Sequence, residues 1–284
     1  MSPSPIAPGR VAVVTGAASG IGLGLSERFA AEGMHVVMAD VEEPALSKAA
    51  AGLADTGASV LPVVTDVADR LAVGALRDSA VSAFGAVHVV CNNAGVGGPH
   101  GPLWECPPGE WDWVFGVNLG GVINGVRAFM PLLLEQDSGH MLNTASIFGV
   151  FAGTLGPYGV SKHAVVALTE TLYFNLRSLG VSHVGVSVLC PGAVRTNFGT
   201  SARNRPSWAG PPVVRGEAEQ ESAERFNRLS ALGASPAEVA GIVVDGITSG
   251  RFYILTSENR NEAVARRGEE IVAGGPPAPP VSFV

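Results

Sequence analysis

Short apolar, β-branched runs alternate along the chain with longer stretches in which apolar residues recur at helical spacing. The short runs are apolar at consecutive positions, as is typical of strands buried on both faces of a sheet. Strands that alternate with helices predict an α/β fold, and right-handed crossovers make it a doubly wound three-layer sandwich with a seven-stranded parallel sheet. The predicted strands are VAVVT from Val11, HVVMAD from His35, SVLPVVT from Ser59, VHVVC from Val87, HMLNTAS from His140, VGVSVLC from Val184 and FYIL from Phe252.

The longer stretches predict helices at residues 21–32, 67–84, 111–134, 158–179 and 236–248. No shift in composition divides the 284 residues, so we expect a single domain. Segment 193–233 is polar and rich in Pro and Gly, and a connection of that length predicts a substrate lid or a disordered loop. The ends of the chain are expected to form a flexible N-terminus at 1–9 and a C-terminal extension at 256–284 with a helix over 258–272.

Charge and composition argue against several classes of function. The formal net charge is −7 and the chain has only 18 Lys and Arg residues, which opposes a nucleic-acid partner because phosphate binding requires clustered basic side chains. The N-terminus has no charged segment followed by an apolar one, and no uncharged apolar run is long enough to cross a bilayer. We therefore expect a cytoplasmic protein without a membrane partner. Three cysteines without C-x-x-C spacing predict neither disulfides nor a metal site.

A glycine-rich turn follows the first predicted strand. In VAVVTGAASGIG, Gly16, Gly20 and Gly22 lie between the strand and the start of a helix, where backbone amides and the helix dipole can bind a pyrophosphate. A Cβ would obstruct both the tight turn and the approach of the phosphate. Glycine also marks ordinary turns, but this strand-turn-helix context favours a Rossmann-like dinucleotide site, with Ser19 and Ile21 in the same turn.

Acidic residues end the second and third strands. Asp40 can accept hydrogen bonds from both hydroxyls of an adenosine ribose and repel a 2′-phosphate, and Val41 follows it where an arginine would bind that phosphate. The pattern favours NAD (NADH) over NADP, although a carboxylate in a strand-end loop also fits a structural role. Asp66, with Val67 beside it, is placed either to bind the adenine amino group or to cap the next helix.

Four polar residues predict a reacting centre. Tyr158 and Lys162 are four residues apart and share one face of a helix. Ser146 follows the fifth strand, at the edge of the sheet where ligands of open α/β folds bind. Asn118 lies inside a predicted helix, where its amide competes with backbone hydrogen bonds, and this unfavourable position indicates another role. An accidental surface pair would need neither of the last two residues.

These motifs occur in the order found in the short-chain dehydrogenase/reductase family, which the chain resembles over about residues 10–255. They are TGAASGIG, NNAG at 92–95, Asn118, NTAS ending at Ser146, Tyr158 with Lys162, and PG at 191–192. The resemblance implies that Tyr158 is the general acid/base and that Ser146 hydrogen-bonds the reacting oxygen. It also implies that Lys162 lowers the pKa of Tyr158 and holds the nicotinamide ribose, and that Asn118 anchors a proton relay.

Further cofactor contacts are implied by the same resemblance. The NNAG segment is expected to flank the cofactor, and residues after the sixth strand are expected to hold the nicotinamide carboxamide. The residues concerned are Asn92, Ala94, Gly95, Pro191, Gly192, Val194 and Thr196.

Aromatic residues in three loops indicate the substrate site: Trp104, Phe148, Phe151, Phe198 and Trp208. Aromatic walls and a long lid predict a bulky, mainly apolar substrate, such as an aryl or polycyclic alcohol or ketone. The competing interpretation is that these rings pack only against the scaffold. Arg195, Arg203 and Arg205 in the lid either bind an anionic substrate or remain in solvent. The lid and the C-terminal helix are also similar to a sub-group that includes dehydrogenases of aryl ether alcohols.

We therefore predict an NAD-dependent oxidoreductase that transfers hydride between nicotinamide and a secondary alcohol or ketone. Two alternatives stay open: reduction of an imine or an activated C=C bond on the same scaffold, and a non-catalytic NAD-binding sensor. A sensor has no need of the four proton-handling residues. The resemblance implies a homodimer, through the helices that carry Asn118 and Tyr158, or a homotetramer.

Overall fold

The predicted strands form one parallel sheet with the order β3-β2-β1-β4-β5-β6-β7. The computed structural model describes residues 3–99, 101–151, 153, 156–211, 216–256 and 261–277. The strand order reverses between β1 and β4, which creates the crevice where ligands of open α/β sheets bind. The strands are β1 Val11–Thr15, β2 His35–Asp40, β3 Val60–Val64, β4 Val89–Asn92, β5 Gly139–Thr144, β6 Val184–Cys190 and β7 Tyr253–Leu255.

Helices cover both faces of this sheet, as its apolar strands require. One core layer packs α1, α2 and α8 on one face, with Phe29 and Leu46 fully buried, and the other packs α3, α5 and α6 around Phe129. The predicted three-layer sandwich is therefore confirmed. The helices are α1 Gly20–Ala31, α2 Glu43–Ala54, α3 Arg70–Phe84, α4 Pro108–Phe115, α5 Gly121–Glu135, α6 Gly156–Ser178, α7 Glu217–Ala231, α8 Pro236–Thr248 and α9 Asn261–Ala273.

The helix predicted at 111–134 is divided into two. Between α4 and α5, the segment Gly116–Gly120 forms a π-helical turn that contains Asn118. Such turns are frequent at functional sites. The run Pro108–Glu135 is long and apolar enough to cross a membrane by composition alone, but Val122, Phe129 and Leu133 are buried in the fold. Its apolar character is that of a core helix.

The predicted lid has more regular structure than its composition indicates. Within 193–233, the described residues form 3₁₀ turns at Asn197–Asn204 and Ser207–Ala209 and the helix α7, while 212–215 lie outside the described residues. The interpretation of this segment as a disordered loop is wrong for these parts. Helix α7 was missed because it is polar and has few apolar residues at helical spacing.

A buried ion pair fixes the lid to α4. Arg205 pairs with Glu110, and their side chains are only 6% and 5% exposed. The guanidinium also donates to the carbonyls of Gly210 and Ala209 at 2.8 and 2.6 Å and lies over the ring of Trp113. Arg205 is therefore neither solvated nor free to bind substrate, because its donors hold the lid in place.

The C-terminal helix contacts the loop that follows Ser146. Arg267 of α9 donates to the carbonyl of Val150 at 2.9 Å and to Nε2 of His163 at 2.8 Å. Because Nε2 accepts this bond, the His163 ring carries its proton on Nδ1, which donates to the Gly159 carbonyl at 3.0 Å. The extension thus packs against the helix that carries Tyr158 and Lys162.

Replacement of Arg205 tests how the lid is held. We expect Arg205→Met to lower the free energy of unfolding by about 3 kcal/mol, because it leaves the buried Glu110 carboxylate without its cation. Urea denaturation provides the measurement. Arg28→Met is the matched control, since Arg28 pairs with Glu32 on an exposed helix face and its loss should cost less than about 1 kcal/mol. Equal losses in both variants would contradict a special role for the buried pair.

Candidate active site

A cavity of about 540 Å³ opens at the carboxyl ends of the strands, on the crevice between β1 and β4. Most residues that the sequence assigns to a cofactor line this one cavity, although they come from distant parts of the chain. These residues are Gly16, Ser19, Gly20, Ile21, Asp40, Val41, Asp66, Val67, Ala94, Gly95, Tyr158, Lys162, Pro191, Gly192, Val194 and Thr196.

The glycine turn is closely packed at the end of β1. Gly16 and Gly20 have φ angles of +67° and +56°, which other residues rarely adopt, and a Cβ on Gly16 would lie 2.9 Å from the Cα of Ala94. Gly22 does not line the cavity, and a Cβ there would collide with the carbonyl of Gly16. The backbone amides at the start of α1 are therefore accessible, and together with the helix dipole they suit a pyrophosphate.

Asp40 orders the loops at the other end of the cavity. Its Oδ2 accepts from the amide of Ala18 at 3.0 Å, and its Oδ1 accepts from the amide of Glu42 at 3.0 Å. Asp66 also lines the cavity, and its carboxylate accepts from the amide of Ala68 at 2.9 Å. The alternative that Asp66 caps α3 is wrong, because Asp69 is the N-cap residue and accepts from the Leu71 amide.

The prediction that Asn92 flanks the cofactor is also wrong. Asn92 is the last residue of β4, and its buried side chain donates to Asn143 of β5 at 2.8 Å, away from the cavity. Asn93, one residue past the strand, lines the cavity instead. Its side-chain Nδ2 donates to the Thr15 carbonyl at 2.9 Å, and its Oδ1 accepts from the Thr144 hydroxyl at 3.2 Å. The alternation of side chains along β4 is the sequence signal that distinguishes the two asparagines.

Tyr158, Lys162 and Ser146 converge on one wall of the cavity. The Lys162 side chain runs into the fold, is 3% exposed, and donates to the carbonyl of Thr144 at 2.8 Å. Its Nζ lies 5.8 Å from the centre of the Tyr158 ring. Ser146 is buried beside them and accepts from the amide of Phe148 at 3.2 Å.

Burial dominates the proton equilibria of this wall. It raises the pKa of Tyr158 to about 12, and the hydrogen bond from Ser146 offsets only part of that shift. Burial also lowers the pKa of Lys162 to about 8, while the nearby Cys190 thiol acts in the opposite direction. The expectation that Lys162 lowers the pKa of Tyr158 stays a prediction, because the upward shift is due mainly to burial of the phenol. Desolvation disfavours the charged phenolate and is the largest cause of the raised pKa of Tyr158.

Asn118 supports this wall without lining the cavity. Its Oδ1 accepts from the amide of Val96 at 2.8 Å, and its Nδ2 donates to the Val96 carbonyl at 3.0 Å and to Ser161 at 3.1 Å. Ser161 in turn donates to the carbonyl of Tyr158 at 2.7 Å. These bonds connect the loop after β4 to the first turns of α6. The proton relay expected through Asn118 stays a prediction.

The predicted aromatic residues separate into two groups. Phe148, Phe198 and Trp208 line the cavity, and the Phe198 ring is 5.3 Å from that of Tyr158. Trp104 does not line it and is 85% exposed, so its assignment to the substrate site is wrong. Phe151 is buried beneath Phe148, which agrees with the scaffold interpretation. Other lining residues were not assigned from the sequence. They are Thr65, Val96 and Thr144 at or after strand ends, Asp112 and Trp113 on α4, and Arg225 and Leu229 on α7.

Comparison with known proteins agrees with this geometry. The short chain dehydrogenase family profile matches residues 10–207. A 1-deoxy-11-beta-hydroxypentalenate dehydrogenase of Streptomyces exfoliatus is 41% identical over 277 residues, covering 95% of this chain and 92% of the relative. A C alpha-dehydrogenase of Sphingobium sp. strain SYK-6 is 32% identical over 267 residues, covering 93% and 85%.

A solved structure has a closely similar fold. The short chain dehydrogenase/reductase from Burkholderia phymatum in complex with NAD superimposes with a TM-score of 0.94 at 42% identity, covering 98% of this chain and 99% of that chain. The glycine turn and the open cleft fit a nicotinamide cofactor, because a Cβ on Gly16 would close the space beside Ala94. The protein belongs to the short-chain dehydrogenase/reductase family and is an oxidoreductase that acts on hydroxyl and keto groups.

Proposed function

We propose that the protein is an NAD-dependent dehydrogenase or reductase of a bulky, mainly apolar secondary alcohol or ketone. One observation carries the proposal: Tyr158, Lys162 and Ser146 share a cavity with the glycine turn and with Asp40. These residues would hold a dinucleotide between Asp40 and the reacting wall, with hydride transfer at the end beside Tyr158. The residues of this wall suit a reaction in which one proton is transferred to or from an oxygen atom of the substrate.

Side chains of the protein itself carry out the proton transfer. When bound, the nicotinamide supplies or accepts the hydride. With a pKa near 12, the Tyr158 phenol is neutral at pH 7 and is therefore a proton donor to a carbonyl oxygen in the reductive direction. Ser146 can hydrogen-bond the same oxygen. The Lys162 ammonium stabilises the phenolate that remains, because its positive charge lies 5.8 Å from the centre of the Tyr158 ring.

The preference for NAD rests on the charge around Asp40. A carboxylate at this position favours a ribose 2′-hydroxyl as donor and repels a 2′-phosphate. Val41 lines the cavity beside it and offers no positive charge. We therefore assign NAD rather than NADP as the working cofactor.

The walls of the cavity support an apolar substrate. Phe148, Phe198 and Trp208 line it together with Trp113 of α4. Such walls favour a substrate that buries hydrocarbon, with Ser146 and Tyr158 fixing one oxygen atom. The relatives named for a hydroxypentalenate and for a C alpha position fit this class.

Homodimerisation stays a prediction. Such an interface would cover exposed apolar side chains, which are Ile123 on α5 and Val160 and Phe174 on α6.

The proposed proton donor is tested by Tyr158→Phe. We expect this variant to bind NADH like the wild type but to reduce ketones about 10³-fold more slowly, because the proton donor is missing. The assay follows NADH oxidation over a panel of aryl, alicyclic and steroid ketones. Tyr173→Phe is the matched control, because Tyr173 lies on the same helix and packs against Phe252 outside the cavity. Comparable turnover in both variants would remove Tyr158 from the chemistry.

The charge of Lys162 predicts a pH dependence. Because burial lowers the pKa of Lys162 to about 8, the ammonium is present below that pH and is lost as the pH rises through it. The kcat for ketone reduction should therefore decline above about pH 8 at saturating NADH, since the phenolate of Tyr158 loses its counterion. Lys162→Arg should not show this decline, because a guanidinium stays charged across the range. A wild-type profile that stays level through pH 8 and above would contradict the assignment.

A further inference from the structure

The lid contacts the chain close to Asp40, at the opposite end of the cavity from Tyr158. Arg203 of the lid donates to Glu42 through Nη2 at 2.6 Å and through Nε at 3.1 Å to each carboxylate oxygen. Asn204 donates to the same carboxylate at 2.8 Å. All three residues line the cavity. The Arg203 and Glu42 side chains are 38% and 27% exposed, so the pair lies at the cavity mouth.

Further hydrogen bonds hold both partners of this ion pair in position. The Nη1 of Arg203 donates to the carbonyl of Asn197 at 3.3 Å and to the hydroxyl of Thr200 at 3.0 Å. The amide of Glu42 donates to Asp40 at 3.0 Å, so the Glu42 backbone is fixed to the carboxylate that selects the ribose. The guanidinium is therefore directed toward the loop that contains Asp40, and Glu42 occupies its donors.

Arg203 differs in its contacts from the other cations that line the cavity. Among the described lining residues, the cations are Lys162, Arg203 and Arg225. Lys162 is directed at Thr144 in the reacting wall, and Arg225 belongs to α7. Arg203 is the cation that hydrogen bonds connect to the Asp40 loop. A guanidinium with free donors is a strong phosphate ligand, whereas one that is paired with a carboxylate has little capacity for a second anion.

We propose that Glu42 is a specificity-determining residue, which keeps Arg203 paired and so withholds it from the 2′-phosphate of NADP. The inference rests on the proposed NAD-dependent function and deepens it. Asp40 repels a 2′-phosphate directly, and Glu42 removes the cation that would otherwise attract one. The NAD preference then depends on two carboxylates, and the second acts through the lid.

Direct binding of nucleotide fragments tests this proposal without turnover. The probes are adenosine 2′,5′-bisphosphate and 5′-AMP, titrated by calorimetry into the full chain. We expect Glu42→Gln to tighten binding of the bisphosphate about tenfold relative to 5′-AMP, because Arg203 becomes available for the additional phosphate. The ratio of kcat/KM values for NADPH and NADH should move in the same direction.

Three variants identify the source of any gain. Glu43→Gln makes the same charge change at the adjacent, exposed residue and should leave the binding ratio at the wild-type value. Glu42→Gln/Arg203→Ala should lose the gain, whereas Glu42→Gln/Arg225→Ala should keep it. The proposal is overturned if Glu42→Gln gives no gain, if Glu43→Gln gives an equal one, or if the gain persists without Arg203.

Fragment binding also distinguishes failure of the role of Glu42 from failure of the proposed NAD-dependent function. If 5′-AMP binds the wild type and Glu42→Gln leaves the ratio unchanged, only the role of Glu42 fails. If neither fragment binds the wild type, the nucleotide site itself is contradicted, and both proposals fail together.

Discussion

The buried ammonium of Lys162 constrains the arrangement of the reacting wall. Taking a charge out of water costs free energy unless it is hydrogen-bonded, and here the carbonyl of Thr144 at the end of β5 compensates part of that cost. The bond connects α6 to the sheet directly beside Ser146. It therefore fixes Tyr158, one turn earlier on α6, against the serine. The lowered pKa of Lys162 and the raised pKa of Tyr158 have the same cause, which is the exclusion of water from this wall.

The rest of the cleft is built around this wall by long-range polar contacts. Asn118, in its π-helical turn, connects the loop after β4 to α6. The Arg205–Glu110 pair fixes the lid to α4, and the Arg203–Glu42 pair fixes it to the loop after β2. Arg267 connects the C-terminal helix to the loop that follows Ser146. Ion pairs and hydrogen bonds thus hold the elements around the cleft at several points, whereas Trp113, Phe148, Phe198 and Trp208 supply apolar surface inside it.

Most of the sheet and the cofactor turn could be predicted from the sequence, because strand patterns are periodic and each motif follows the end of a strand. The direction of single side chains in the loops could not. Asn92 and Asn93 are adjacent, and only the register of β4 against β5 determines which of the two side chains faces the cavity. Trp104 and Phe151 failed as predictions for the same reason. The Arg203–Glu42 pair joins residues 161 positions apart, so its existence depends on the packed lid and has no local sequence signal.

The dominance of burial over charge at Tyr158 also requires the structure, since spacing alone suggests only that Lys162 is near. The most direct test of the reaction itself uses NADH in which both hydrogens at C4 are replaced by deuterium. It is incubated with matched ketone, imine and enone substrates, and the label is located by NMR of the products. We expect deuterium on the carbinol carbon of the ketone product, with one NADH oxidised for each alcohol formed. Label found only on an amine carbon or on the β carbon of the enone product would contradict it.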